Sequence, residues 1–216
     1  MAGQEAITAQ YDRVAPYYRA LSPLFLITPW ARRKGVDALA LRPGDTALEI
    51  GAGSGRNLPY LVDAVGPGGA VIGVDLSAGM LAEATKMVAR RGWRNVRLIH
   101  SDAATVELDR DVDGVLFSLS YSAMPPQARL PAATRAWERL RPGRRLAVMD
   151  LGLTETRLRP ILDPIARQLI KLGPGHPYVR PWDDLAIFGE VVTDRFMLDL
   201  YYVCTVAKRT AFRGRA

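Results

Sequence analysis

The sequence predicts one α/β domain on a doubly wound, mostly parallel sheet of seven strands, with a helical cap at the N-terminus. Three observations predict it. Short apolar runs alternate with stretches of helical periodicity. Turn residues keep the connections short, and strand–helix–strand repetition with short links means parallel pairing with helices on both faces. The first apolar run leads straight into glycines at 51, 53 and 55, followed by a helical stretch. The expected layout is a single domain over 1–216, with a cap over 1–42 and the α/β core over 43–216.

The cap comes first. Ile7, Tyr11, Val14, Tyr18 and Leu21 recur at alternating spacings of four and three, which places them on one helical face. A second helical piece is expected from Trp30 to Leu41, after the segment Ser22 to Pro29. This region should sit over the C-terminal edge of the sheet.

Strands are expected at Thr46 to Ile50, Ala70 to Asp75, Val96 to His100, Gly114 to Ser118 and Leu146 to Asp150. Their nearly uninterrupted apolar character fits strands covered on both faces. Leu58, Leu61, Val62 and Val65 form a helical stripe ended by Gly66-Pro67. After Ser77, an N-cap residue type, Met80, Leu81, Ala84, Met87 and Val88 form another, ended near Gly92. A third helix runs to Leu140 with Trp137 inward, and Pro142-Gly143 should turn the chain into the fifth strand. Two further strands, near Val191 to Met197 and Tyr201 to Lys208, lack a convincing helix between them. One of them is expected to run antiparallel at the sheet edge. Between them and the fifth strand, Ile161, Leu162, Ile165, Leu169 and Ile170 form the inner face of an amphipathic helix, with Arg167 and Lys171 elsewhere.

Composition excludes several classes. With 49% hydrophobic and 24% charged residues, global disorder is ruled out. A single cysteine, Cys204, excludes a disulfide scaffold or a Cys-cluster metal site and reads as a small apolar strand residue. No run reaches the roughly 20 apolar residues that span a bilayer. The run from Leu24 to Trp30 is broken by Thr28 and Pro29, and Met1 to Gln10 shows no signal-peptide pattern. A soluble, cytoplasmic protein is therefore expected. The net charge of +7 comes mostly from small arginine groups, including Arg32-Arg33-Lys34, Arg90-Arg91 with Arg94, and Arg139 to Arg145. Nucleic acid, an anionic membrane surface and an acidic small substrate are all compatible with it, as are solvated helix ends.

The stretch Leu48-Glu49-Ile50-Gly51-Ala52-Gly53-Ser54-Gly55-Arg56-Asn57 carries the most information. Glycine allows a sharp turn and lets a ligand approach the backbone. Ligands of open α/β sheets sit at the carboxyl ends of strands, so this loop is a binding floor. The spacing is G-x-G-x-G, neither the G-x-G-x-x-G of dinucleotide folds nor a P-loop, which needs Gly-Lys-Ser/Thr. Glu49 would repel a phosphate but favours a ligand with an amino acid and a positive centre. The second strand ends on Asp75, placed to accept both hydroxyls of a ribose. The third is followed by Asp102, placed to accept from an adenine amino group. Each acid alone is an ordinary strand-end residue. Together, at successive strand ends, they describe a nucleoside site.

On these residues the chain resembles the class I S-adenosylmethionine-dependent methyltransferases, a Rossmann-like family. The resemblance rests on EIGAGSG at 49–55, VIGVDLSAGML at 71–81, the Asp102-Ala103 pair and LRPGRRLAV at 140–148. It implies that the glycine loop holds the methionyl part, Asp75 the ribose and Asp102 the adenine. The cofactor-binding set it implies is Tyr11, Tyr18, Glu49, Gly51, Ala52, Gly53, Gly55, Asp75, Leu76, Met80, Asp102, Ala103 and Ser118. S-adenosylmethionine would be the cofactor and S-adenosylhomocysteine its product. Tyr11-Asp12-Arg13-Val14-Ala15-Pro16-Tyr17-Tyr18 resembles a helix of ubiquinone- and menaquinone-pathway methyltransferases in which aromatics close over the cofactor. There the last Tyr is usually followed by Asp, whereas this chain has Arg19.

Methyl transfer is an in-line displacement, and an amine acceptor needs alignment more than a dedicated base. The fourth strand ends Phe117-Ser118-Leu119-Ser120-Tyr121-Ser122-Ala123-Met124-Pro125, without Asp, Glu or His. It lacks the Asn/Asp-Pro-Pro-Tyr of nucleobase amino-methyltransferases, so no nucleic-acid partner is expected. Asp150 is a lone acid at the fifth strand's end, and no metal is expected. GSGRNL and LSYSAMP resemble bacterial N-methyltransferases of membrane lipids, of the betaine-lipid and phosphatidylethanolamine type. Leu24-Phe25-Leu26-Ile27 and Trp30 beside Arg32-Arg33-Lys34 suit either an anionic membrane surface or a lid. The expectation is N-methylation of a lipid head-group amine, with Tyr121 and Ser120 positioning the acceptor and peripheral contact with the cytoplasmic membrane face. A quinone precursor or other small metabolite is the alternative acceptor. A non-catalytic cofactor-binding or nucleic-acid-binding module is the alternative of another class. His176 lies in a turn-rich segment that either borders the acceptor or is surface, and His100 reads as a strand-end residue.

Overall fold

The computed structural model describes residues 29–152, 160, 163–164, 179–197 and 199–210. Tyr11, Tyr18, the run 24–28, the helical pattern over 161–171 and His176 lie outside the described residues. Helix α1 spans Pro29–Asp37 and is followed by β1 (Thr46–Ile50), α2 (Leu58–Val65), β2 (Ala70–Asp75), α3 (Ala78–Arg91), β3 (Val96–His100) and β4 (Val112–Ser118). Then come α4 (Pro126–Arg139), β5 (Leu140–Leu151), α5 (Pro181–Leu185), a short 3-10 turn (Ala186–Phe188), β6 (Val191–Phe196) and β7 (Tyr201–Ala207).

The seven strands form one sheet in the order β3-β2-β1-β4-β5-β7-β6. The first five pair in parallel, while β7 pairs antiparallel with both β5 and β6. The antiparallel strand is thus not at the edge. It lies one position in, and β6 takes the edge with Val192 exposed. β6 and β7 are consecutive and pair as an antiparallel hairpin, and β7 also pairs antiparallel with β5 on its other side.

Alternate residues divide the core between the faces, as the two-residue period of a strand requires. Leu48, Ile50, Ile72, Val74, Val115, Phe117, Leu146 and Val148 face α4 and α5. Ala47, Val71, Leu116, Ala147 and Met149 face α1, α2 and α3. Gly35 lets α1 lie close on the sheet, since a Cβ there would stand 3.1 Å from the Met149 Cβ. Ser77 caps α3 by accepting from the Met80 N–H at 3.1 Å, and Gly92 ends that helix with a left-handed φ of +66°. Trp137 is partly buried and stacks on Phe188 at 4.8 Å. Cys204 is a buried strand residue on β7.

Three boundaries differ from expectation. The helix expected over 30–41 stops at Asp37, and Ala40 takes a φ of +52°. β4 begins at Val112 because Asp113, a charge that reads as loop, is buried and accepts from the Thr46 N–H and from Arg141 and Arg144. β5 begins at Leu140, which pairs with Val112, so Pro142-Gly143 makes a bulge within the strand instead of a turn before it. Gly143 holds φ at +80° there and its N–H donates to the Lys208 carbonyl at 2.7 Å.

No helix among the described residues is long and apolar enough to cross a membrane.

Candidate functional site

The strand order reverses between β1 and β4, and beyond their carboxyl ends the chain leaves a cleft. Its floor is the loop after β1. Gly51 and Ala52 both donate their N–H groups to the Val74 carbonyl, at 2.8 and 3.0 Å, which turns the loop back over the end of β2. Gly51 and Gly53 hold φ values of +75° and +54°. Only glycine adopts these without strain.

Of the expected cofactor set, Glu49, Gly51, Ala52, Gly53, Asp75, Leu76, Met80, Asp102, Ala103 and Ser118 line this cleft, as does Ser120. Gly55 does not. A Cβ at Gly55 would stand 2.8 Å from Leu58 Cδ1 and 3.2 Å from the Ala84 Cβ, so this glycine serves packing of the loop on α3. Ser120 lends its hydroxyl to the Ile50 carbonyl at 2.7 Å, tying the end of β4 to the end of β1. Tyr121 is fully buried with its ring edge-on to Phe117, its hydroxyl donates to Asp184 at 2.9 Å, and it is not a cleft residue. It packs into the core on the α4 and α5 side.

Each acid is held differently. Asp75 accepts from the Gly53 N–H at 2.7 Å on one oxygen and from the Ser77 N–H at 2.9 Å on the other. A carboxylate has about four acceptor positions, so two remain for ligand hydroxyls. Burial raises its pKa, and the backbone N–H groups of Ser77 and Gly53 oppose the rise. Asp102 accepts from the Ala104 N–H at 2.8 Å. Glu49 is fully buried, and burial pushes its carboxyl up to about 8 against the opposing effects of Asn57 and Arg32.

Reading the residues alone missed Arg32, Asn57 and an apolar wall of Leu119, Ala123, Met124, Pro125, Ala128 and Ala132. Ala128 and Ala132 are four apart, a helical-face signal present in the sequence. Arg32 had no such signal. It belongs to a basic triplet whose members part company in the fold. Arg32 is buried at the cleft, Arg33 pairs with Asp63 at 2.8 Å, and Lys34 pairs with Asp194 beside the Phe196 ring.

The cleft has the marks of a ligand site. Glu49 Oε2, Ser54 Oγ and Ser118 Oγ are buried without a hydrogen-bond partner among the described residues, and all three residues line it. A buried polar atom left alone costs on the order of 1–3 kcal/mol, which a polar ligand relieves. A basin with three acids suits a cationic amino-acid nucleoside and disfavours a polyphosphate. The donor set therefore fits S-adenosylmethionine.

Comparison with known proteins agrees. Residues 47–143 match the methyltransferase domain family. The chain is 35% identical over 123 residues to aklanonic acid methyltransferase DauC of Streptomyces sp. (strain C5), covering 56% of this chain and 55% of that protein. It is 30% identical over 180 residues to nocamycin O-methyltransferase of Saccharothrix syringae, covering 78% and 62%. It is 32% identical over 125 residues to demethylmenaquinone methyltransferase of Geobacillus stearothermophilus, covering 56% and 50%. The chain thus spans less than two thirds of the length of these relatives. Among solved structures, the fold matches a SAM-dependent methyltransferase from Aquifex aeolicus with a TM-score of 0.56 at 21% identity, covering 81% of this chain and 87% of that one. Residues 47–143 thus match a methyltransferase domain, on a fold shared with a SAM-dependent methyltransferase of known structure.

Proposed function

We propose that this protein transfers a methyl group from S-adenosylmethionine to a small, largely apolar acceptor. The observation that carries the proposal is the gathering of Glu49, Asp75 and Asp102, from three successive strand ends, around one glycine-floored cleft. Glu49 and the loop at 51–53 would hold the amino-acid end, Asp75 the ribose and Asp102 the adenine, with Leu76, Met80, Ala103 and Ser118 around them. When bound, S-adenosylmethionine supplies an electrophilic methyl group on a sulfonium centre. The chain's own contribution is alignment and exclusion of water.

Support for an apolar acceptor is the wall formed by Leu119, Met124, Pro125, Ala128 and Ala132, none of them charged. The names of the relatives point the same way, since aklanonic acid, nocamycin and demethylmenaquinone are all small molecules. N-methylation of a lipid head-group amine is the second reading. It is favoured by Trp30, which is exposed at the start of α1.

The test is methyl transfer from labelled S-adenosylmethionine into a cell extract, separated into lipid, aqueous, nucleic-acid and protein fractions. Label in a quinone or other small apolar product identified by mass supports the proposal. Label on a phospholipid or betaine-lipid amine replaces it with the second reading. Label confined to nucleic acid or protein overturns both.

A further inference from the structure

Three buried side chains form a chain across the floor of the cleft. Arg32 Nη1, from α1, donates to Asn57 Oδ1 at 2.9 Å, and Asn57 Nδ2 donates to Glu49 Oε1 at 2.5 Å. Glu49 is 0% exposed, Asn57 3% and Arg32 6%, and all three line the cleft. A guanidinium only donates, so the amide oxygen of Asn57 has to face Arg32 and its NH2 has to face Glu49. Oε1 is therefore held as an acceptor, and a proton on Glu49 resides on Oε2, the oxygen without a partner among the described residues. The neutral amide also keeps the guanidinium one residue away from the carboxylate.

Among the described residues, Arg32 is the cation that acts on Glu49. On its own strand and the strands beside it Glu49 is flanked by Gly73 of β2 and Leu116 of β4. Asp75 at the end of β2 is of like sign, and Arg32 acts from α1 through Asn57. A buried carboxylate in such a place takes up a proton unless a positive charge is brought to it.

We propose that the Arg32–Asn57–Glu49 chain makes the cleft accept its ligand's primary ammonium group in exchange for one proton, lost from Glu49 Oε2 to bulk water. The proposal rests on the cofactor assigned above. The balance is simple. The ligand arrives as R–NH3+, the O–H bond of Glu49 breaks, the carboxylate remains paired with the ammonium, and one H+ enters the solvent. Arg32 and Asn57, neither in the glycine motif, are then specificity-determining, because they fix which oxygen carries the exchangeable proton. A ligand lacking the amino group has nothing to exchange.

The experiment is isothermal titration of the full chain with S-adenosylhomocysteine at about pH 7, in two buffers of different protonation enthalpy. The difference in observed heat counts protons released per ligand bound. About one is expected, declining to none as the pH passes about 8. 5′-Methylthioadenosine, which keeps the adenine and ribose but has no amino-acid end, should bind without release. Glu49→Gln should bind S-adenosylhomocysteine more weakly and release none. The comparison of the two nucleosides on the unaltered protein stands even where that variant fails to fold. Binding of S-adenosylhomocysteine without proton release overturns the exchange and leaves the cofactor assignment intact. Equal release with 5′-methylthioadenosine, or full release from Glu49→Gln, also overturns it. If neither nucleoside binds, the cofactor assignment falls and the exchange falls with it.

Discussion

A Cβ placed on Gly51 would stand 2.3 Å from the Cβ of Ser120, so the turn after β1 and the end of β4 approach each other through the missing side chain. Ser120 fixes that approach by donating to the Ile50 carbonyl at 2.7 Å. Gly51→Ala must push the two strand ends apart as well as strain a φ of +75°. Gly53→Ala meets nothing within 4 Å and carries only the cost of a φ of +54°, about 1–2 kcal/mol. Gly51→Ala is expected to lower the thermal midpoint more than Gly53→Ala and to abolish S-adenosylhomocysteine binding by calorimetry. Adding Ser120→Gly should restore part of the stability.

Tyr121→Phe tests a residue whose place the fold moved. The change deletes the 2.9 Å hydrogen bond to Asp184 and keeps the ring against Phe117. A hydrogen bond to a charged acceptor contributes about 1.5–3 kcal/mol. Denaturant melts should show a loss of roughly that size, while the Kd for S-adenosylhomocysteine stays within about twofold. A large change in Kd would return Tyr121 to the ligand site.

At the opposite end of the sheet, Arg144 grips Asp45 through two hydrogen bonds of 2.9 and 2.7 Å and reaches Asp113 at 3.2 Å. Both carboxylates are nearly buried. Arg144→Ala leaves Asp45 without this partner and Asp113 with Arg141 alone among the ion pairs described. The expected cost is about 3–5 kcal/mol, read in denaturant unfolding. Ligand affinity of the folded variant should not change, because these residues lie at the amino ends of β1 and β4.

Burial raises Glu49 from 4.5 to about 8 and Asp150 from 3.8 to about 6. A carboxyl whose folded pKa exceeds its unfolded pKa contributes stability that is complete below the unfolded value and is lost as pH rises through the folded one. The ligand-free protein should therefore lose stability as pH rises from about 4 to about 8, with the share of Asp150 gone near 6 and that of Glu49 near 8. Melting curves across this range check the slope. Glu49→Gln should flatten it between about 6 and 8 and reduce its slope below about 6, where Asp150 still contributes.

Much of the fold and of the cleft's lining was legible in the chain because it depends on local chemistry. β1, β2 and β3 stand where their apolar runs stand, and Ser77 and Gly92 bound α3 as their residue types require. The glycines at 51 and 53 report a backbone conformation, and Asp75 and Asp102 follow directly from where strands end. Periodicity and turn chemistry act over a few residues, so a linear string records them.

What only the tertiary structure decided is which distant residues meet and which way a side chain turns. Arg32, Arg33 and Lys34 are alike in sequence, yet burial sends Arg32 to the cleft and its neighbours to Asp63 and Asp194. Asn57 looks like an ordinary loop residue until Arg32 and Glu49 hold it from both sides. Tyr121 sits one residue beyond a cleft residue yet is buried in the core, with its hydroxyl on Asp184, 63 residues later. β7 lies inside the edge because hairpin pairing with β6 and antiparallel pairing with β5 are satisfied together only there. These outcomes depend on long-range pairing and on the desolvation of particular atoms, and neither leaves a periodic trace in the chain.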